Sequence, residues 1–180
     1  MIPQRNRIDD DNDLFTVAAK RLAQEFREVT VNGADCLVAG PVSPDNLFEW
    51  EALIEGPEGT PYEGGLFAAR IVFPQDYPLS PPTMTFTSAM WHPNVYTNGD
   101  VCCSILHSPN DPHYAHYELA SEQWSPVQSL EKILLSVISM LAEPNDQSPA
   151  NVDAAKQWRQ DRDGFNRRVD ECVRQSLGFA

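Results

Sequence analysis

Residues 47–86 read LFEWEALIEGPEGTPYEGGLFAARIVFPQDYPLSPPTMTF, and this run decides the fold. It holds three short β-type segments, Leu47–Ile54, Leu66–Phe73 and Thr83–Phe86, and a fourth, Cys36–Ala39, precedes them. Turn residues separate them: Gly56-Pro57-Glu58-Gly59, Glu63-Gly64-Gly65 and the proline-dense stretch from Pro74 to Pro82. Gaps of that size suit antiparallel returns, whereas parallel strands need crossovers of a dozen or more residues. The spacing predicts a four-stranded antiparallel meander. Pro78 and Pro81 also form a PxxP spacing, the kind that docks in SH3-type grooves. The structural reading is preferred, because proline between two strands ends one ladder and shapes the crossing to the next.

Helical patterns flank the strands. Ser125-Pro126-Val127-Gln128 offers an N-cap serine, proline at the first helical position and a glutamine to complete a capping box. Val127, Leu130, Ile133, Leu134, Val137, Ile138 and Leu141 then make one broad apolar face, which predicts the central helix against the sheet. Glu143-Pro144-Asn145 ends it, and two C-terminal helices follow near 151–162 and 165–177 with Gly164 between them. Before the strands, Phe15, Ala18, Ala19, Leu22, Phe26 and Val29 fall at helical spacing and predict an N-terminal helix. Lys20 and Arg21 lie off its apolar stripe. Residues 1–13, with Asp9-Asp10-Asp11 and Asp13, read as a flexible acidic tail, leaving 14–180 as a single domain. A helix, then strands, then helices is the order of an α+β fold.

Composition narrows the function. Thirteen Lys and Arg against 26 Asp and Glu give a net charge of −13, a field that disfavours nucleic acid and anionic membranes as partners. No apolar run approaches the roughly 18 residues of a membrane span, and the first residues lack a secretory apolar stretch. The four cysteines, at 36, 102, 103 and 172, have no disulfide-framework spacing, and no Asn sits in a glycosylation triplet. The chain is expected to be cytoplasmic, with free thiols.

Chemistry is concentrated in His92-Pro93-Asn94-Val95-Tyr96-Thr97-Asn98-Gly99-Asp100-Val101-Cys102. Pro93 fixes its own φ and Asn98-Gly99 is a turn signal, so the segment predicts an ordered active-site loop relating Asn94 to the thiol. An amide beside a thiol suits acyl transfer, because its N–H can stabilise a tetrahedral oxyanion. Alternation along Val101, Cys103 and Ile105 predicts an inward set, with Cys102 as the outward thiol. A thiol of pKa ~8.5 is only a few per cent thiolate at neutral pH, which suffices against an already activated thioester. Hydrolysis of a peptide would need a paired base. His92 and His107 are the nearest candidates, and His92 is read as a loop brace rather than a proton shuttle. Cys102, Cys103, His107 and His113 lack the paired spacing of zinc sites, so no metal is expected. Residues 107–123 show no clear period. A loop of that length after Cys102 reads equally as a gate over the thiol or as a solvated insertion.

These residues resemble the ubiquitin-conjugating enzymes. The matches are Tyr62-Glu63-Gly64-Gly65, Phe73-Pro74 through Tyr77-Pro78 to Pro81-Pro82, His92-Pro93-Asn94, Cys102 with Ser104-Ile105-Leu106, and Trp124-Ser125-Pro126, in family order over roughly 14–178. The insertion at 107–123 marks the subgroup that carries one after its cysteine. Ser125 through Asp146 and Gln175-Ser176-Leu177-Gly178 are most similar to the member serving endoplasmic-reticulum-associated degradation. The resemblance implies that Cys102 accepts ubiquitin as a thioester from the activating enzyme and passes it to a lysine, with no cofactor. It implies that Asn94 supports the oxyanion or braces the loop, and that Asp111 and Ser148 lie near the incoming lysine. Lys20 and Arg21 would meet the activating enzyme, while Leu79, Ser125, Pro126 and Val127 would meet a RING-type ligase. It further implies recruitment to the cytosolic face of the reticulum. Three departures stand out: Cys103 replaces a usual aliphatic residue, Asn110-Asp111 offers one acidic residue where the subgroup has two, and the acidic tail at 1–13 is extra. The competing readings are a non-catalytic ubiquitin-binding module of the same fold and a cysteine hydrolase.

Overall fold

The computed structural model describes residues 7–32, 36–109, 111–112, 119 and 121–179. The elements are α1 (Arg7–Asn32), β1 (Leu37–Ser43), β2 (Asn46–Glu55), β3 (Leu66–Val72), β4 (Thr83–Phe86), a 3-10 turn (Ser104–Leu106), α2 (Leu130–Ala142), α3 (Val152–Gln160) and α4 (Arg162–Ser176). The four strands form one antiparallel sheet in the order β1-β2-β3-β4. This is the expected α+β meander.

Period-two alternation sets the sheet's register. Trp50 faces Ile71, and Ile71 faces Met84; Ala52 faces Ala69, and Ala69 faces Phe86. All six are buried, so each cross-strand row presents the same face to the helices. A one-residue slip would place Glu49, Glu51 and Glu55 in the core instead. The proline run after β3 makes two tight returns, Tyr77 N–H to Pro74 O and Leu79 N–H to Asp76 O. The outer edge of β4 is not left open. Val101 N–H donates to Met84 O and Phe86 N–H to Gly99 O, which hangs the segment 99–101 on the sheet.

Three boundaries differ from the sequence reading. First, α1 begins at Arg7, so residues 7–13, expected as tail, have helical backbone. Acidic residues suit the first turns of a helix, where the macrodipole is positive. Residues 1–6 lie outside the described residues. Second, the central helix is capped by Ser129, which accepts from Lys132 N, and not by Ser125. Residues 125–128 form a turn instead, because α1 holds them: Arg21 donates to Gln128 O at 2.8 Å, and Leu130 N–H to Glu25 Oε2 at 2.8 Å. Third, Gly164 lies inside α4 rather than between helices. Asp161 caps that helix by accepting Gly164 N–H, and a Cβ on residue 164 would stand 2.0 Å from the same carboxylate.

Glu25 is the part of α1 that periodicity did not reveal. It is buried among apolar residues and is fully engaged: Arg21 Nε at 2.7 Å, Tyr77 hydroxyl at 2.9 Å and the Leu130 amide. Two expected stripe members, Phe15 and Phe26, are partly exposed but pack on Phe48 and Trp50, at ring separations of 5.0 and 5.7 Å.

Candidate active site

The loop from His92 to Cys102 is fixed by its own polar atoms. His92 is fully buried; its Nδ1 accepts the Asn94 amide N–H at 2.9 Å, and its Nε2 lies 3.0 Å from Met140 O. A ring that accepts at Nδ1 and donates at Nε2 is the neutral tautomer. Burial lowers its pKa from 6.5 to about 4, against a smaller raising effect of the Met140 bond. The brace reading of His92 fits this geometry: it ties the loop to α2 and takes up no second proton at neutral pH.

Asn94 clamps a second segment. Its Nδ2 donates to Asn145 O at 2.7 Å and its Oδ1 accepts Asn145 N–H at 2.8 Å, while its main-chain O accepts Cys102 N–H at 2.9 Å. The residue thus joins the chain after α2 to the backbone of Cys102. Downstream, the turn needs glycine at one position: Gly99 has φ +94°, and a Cβ there would sit 2.2 Å from Phe86 O. Asn98 contributes through its side chain, bonded to both the amide and the carboxylate of Asp100.

Cys102, Asn94 and Ser148 line one groove of about 730 Å³, whose far wall is the face of α2 bearing Lys132, Ser136 and Ser139. Cys103 lines it too, and both thiols are half-buried. The predicted split into one outward and one inward thiol is therefore not seen in exposure. Strict alternation ends at Cys103, because the 3-10 turn that follows buries Ile105 and Leu106 in succession. On its protein side Cys102 Sγ lies 3.9 Å from His107 Nε2.

Asp111 is half-buried on a turn closed by its own N–H to Ser108 O at 3.0 Å, and it does not line the groove. His113, His116 and Asn110 lie outside the described residues. The two ends of the insertion meet, Trp124 N–H donating to His107 O at 3.0 Å. Among the described residues no group of His, Cys, Asp or Glu is placed to hold a metal.

The remaining expected positions form a separate surface. Trp124 Nε1 donates to Pro78 O at 2.9 Å, which brings Leu79 beside Ser125, Pro126 and Val127. Leu79 is 61 % and Val127 87 % exposed, Pro126 is exposed, and Ser125 is half-buried. Lys20 is exposed, but its neighbour Arg21 turns inward to Glu25 and Gln128.

A family model described as ubiquitin-conjugating enzyme matches residues 21–173. The chain belongs to that family. As a ubiquitin-conjugating enzyme it is an acyltransferase that uses a thioester-forming cysteine, and ubiquitin, an activating enzyme and a ligase are its general partners. It is 58 % identical over 162 residues to "Ubiquitin-conjugating enzyme E2 G2" of Homo sapiens, covering 90 % of this chain and 98 % of the relative. It is 56 % identical over 164 residues to "Ubiquitin-conjugating enzyme E2-18 kDa" of Schizosaccharomyces pombe, covering 91 % and 98 %. Identity to "Ubiquitin-conjugating enzyme E2 7" of Arabidopsis thaliana is 54 % over 159 residues, covering 88 % and 95 %. No helix among the described residues is long and apolar enough to cross a membrane.

Proposed function

We propose that Cys102 is the thioester-forming residue of this conjugating enzyme. The observation that carries the assignment is the groove in which its thiol meets Asn94 and Ser148, with its backbone pinned by the Asn94 carbonyl. A thioester there has α2 along one side and the Asn145–Ser148 segment at its end. Asn94 holds that segment in place and donates to the oxyanion if its second Nδ2 hydrogen reaches the carbonyl carbon's oxygen. Ser148 and Asp111 lie toward the incoming lysine, Asp111 by movement of its turn.

Residues 14–180 act as one catalytic unit in this reading. Lys20, with the inward Arg21 holding the helix, meets the activating enzyme. Leu79 and Val127, apolar and exposed on adjacent turns, meet a ligase of the RING type. Likeness to E2 G2 supports a role in endoplasmic-reticulum-associated degradation, from a cytoplasmic pool recruited to the reticulum by a partner.

Incubation with ubiquitin, activating enzyme and ATP tests the assignment. A reductant-sensitive adduct is expected from the wild type and from Cys103→Ala, and none from Cys102→Ala. Charging of Cys102→Ala with loss in Cys103→Ala overturns the choice of thiol. A wild type that never charges points to a non-catalytic module, and peptide cleavage without charging points to a hydrolase.

A further inference from the structure

Cys102 and Cys103 put two thiols on one groove. Both line it and both are half-buried, so a small molecule entering the groove meets the pair together. The backbone around them is held on both sides. Val101 pairs with Val95 and donates its N–H to Met84 O, Cys102 N–H donates to Asn94 O at 2.9 Å, and Cys103 O accepts Leu106 N–H at 2.8 Å. Cys103 itself is extended, at φ −137° and ψ 134°. Adjacent Cα atoms lie about 3.8 Å apart, whereas disulfides usually span about 4.4–6.8 Å. A direct S–S bond between neighbours closes a strained ring, and here the pinned, extended backbone resists the rotation that would relieve it. An atom set between the two sulfurs enlarges that ring by one member and holds the sulfurs apart instead of joining them. The remaining cysteines belong elsewhere: Cys36 precedes β1, and Cys172 is buried on α4.

We propose that Cys102 and Cys103 form a dithiol site for trivalent arsenicals, in which one arsenic atom bridges the two sulfurs and closes the groove to acyl transfer. The ligand class is an arsenoxide, R–As=O. Each sulfur adds to the arsenic as its S–H bond breaks, so two As–S bonds form and the arsenic–oxygen bond is lost. The two thiol protons leave with that oxygen as one molecule of water. Arsenic stays trivalent, and no oxidant or reductant takes part. Binding needs only the two thiols; the consequence, loss of charging, rests on the thioester reading of Cys102.

Proximity favours the bridge over a single bond. Once one sulfur holds the arsenic, the second As–S bond is intramolecular and forms without a second loss of translational freedom. A lone thiol in the same groove offers one As–S bond, which an excess of monothiol in solution displaces. Thiols are soft donors suited to a soft acceptor, so Glu122, Glu143 and the serines that share the groove do not compete for it. An uncharged arsenoxide also enters freely, whereas the field of a chain with net charge −13 opposes anionic thiol reagents.

The test is treatment of the full chain with phenylarsine oxide in excess glutathione, read by intact-mass and peptide mass spectrometry. The wild type should keep one phenylarsenic group with loss of two hydrogens, mapped to the peptide that holds Cys102 and Cys103. Dimercaptopropanol, itself a dithiol, should remove it. Cys102→Ala, Cys103→Ala and the bulkier Cys103→Val should keep none, with circular dichroism confirming that each is folded. A wild type that holds no glutathione-resistant adduct overturns the proposal, and so does an adduct that persists in either Cys103 variant. The reagent is then removed and the chains are charged with ubiquitin, activating enzyme and ATP. The dose that halves charging should be about tenfold or more higher for Cys103→Ala than for the wild type. Equal doses would overturn closure of the groove by a bridge. If no untreated chain charges, the thioester reading fails, and the mass measurement still decides the dithiol site.

Discussion

His92 is neutral in the folded chain and an ordinary histidine in the unfolded one, which makes it an acid-sensitive brace. Its folded pKa is depressed from 6.5 to about 4, so between those values the unfolded state binds the extra proton. The stability it contributes is complete above pH 6.5 and is lost as pH falls toward 4. At roughly 1.4 kcal/mol per unit, the full loss is on the order of 3 kcal/mol. Urea midpoints taken between pH 7 and pH 4 should decline through this window, and His92→Asn should flatten that part of the curve while lowering stability at pH 7. Asn94 tests a different property. Asn94→Ala removes both bonds to the Asn145 backbone, and at this partly buried site each is worth about 0.5–1.5 kcal/mol. Thermal stability should drop with charging nearly intact. If the amide also donates to the oxyanion, discharge to free lysine slows by about a hundredfold, roughly 3 kcal/mol, at temperatures where the variant is folded. Wild-type discharge and wild-type stability together would refute both roles.

The strands and the active-site loop were legible in the residues because their signals are local. Alternation through Trp50, Ala52 and Ile54, and glycine in the Asn98-Gly99 turn, fix structure within a few positions. What escaped notice depends on contacts far along the chain. Glu25 reads as one more charge on a solvated helix, and only its 105-residue reach to Leu130 N and its bond to Tyr77 show otherwise. The same contacts moved the start of α2 from Ser125 to Ser129. His107 was indistinguishable from the other histidines until the 3-10 turn put it beside Cys102. Glu25 joins α1, the Tyr77 turn and the first turn of α2, so its removal should act on all three. Glu25→Ala leaves Arg21 and Tyr77 without their carboxylate, and breaking a buried pair in this way costs about 3–5 kcal/mol. Besides a lower denaturation midpoint, faster hydrogen exchange should spread to residues 77–79 and 125–130. Exchange changes confined to α1 would show that Glu25 does not hold the ligase-facing turns.

Across the whole molecule, the insertion borders the groove at Ser121 and Glu122 but is tied down at its own base. The groove rests on the sheet edge, the His92 brace and α2, whereas the insertion returns to its starting point through Trp124 N–H and His107 O. Deleting residues between Ser108 and Ser121 and closing the gap with a short Gly-Ser link should therefore spare the melting temperature and charging. Chain building with a ligase should change more than discharge to small amines, if the segment gates the thiol. Equal rates in both assays would make it a solvated insertion. Asp111→Ala should spare charging and slow transfer to lysine, with part of the loss recovered at higher pH where more amine is neutral. The pinning of the insertion at adjacent points carries one more consequence. A loop whose ends already touch adds only about 0.6 kcal/mol of closure cost for each doubling of its length. The site between His107 and Trp124 is thus a socket: descendants of this chain can lengthen, trim or replace what hangs there, acquiring new habits of chain assembly while the acyl-transfer machinery beneath stays unaltered.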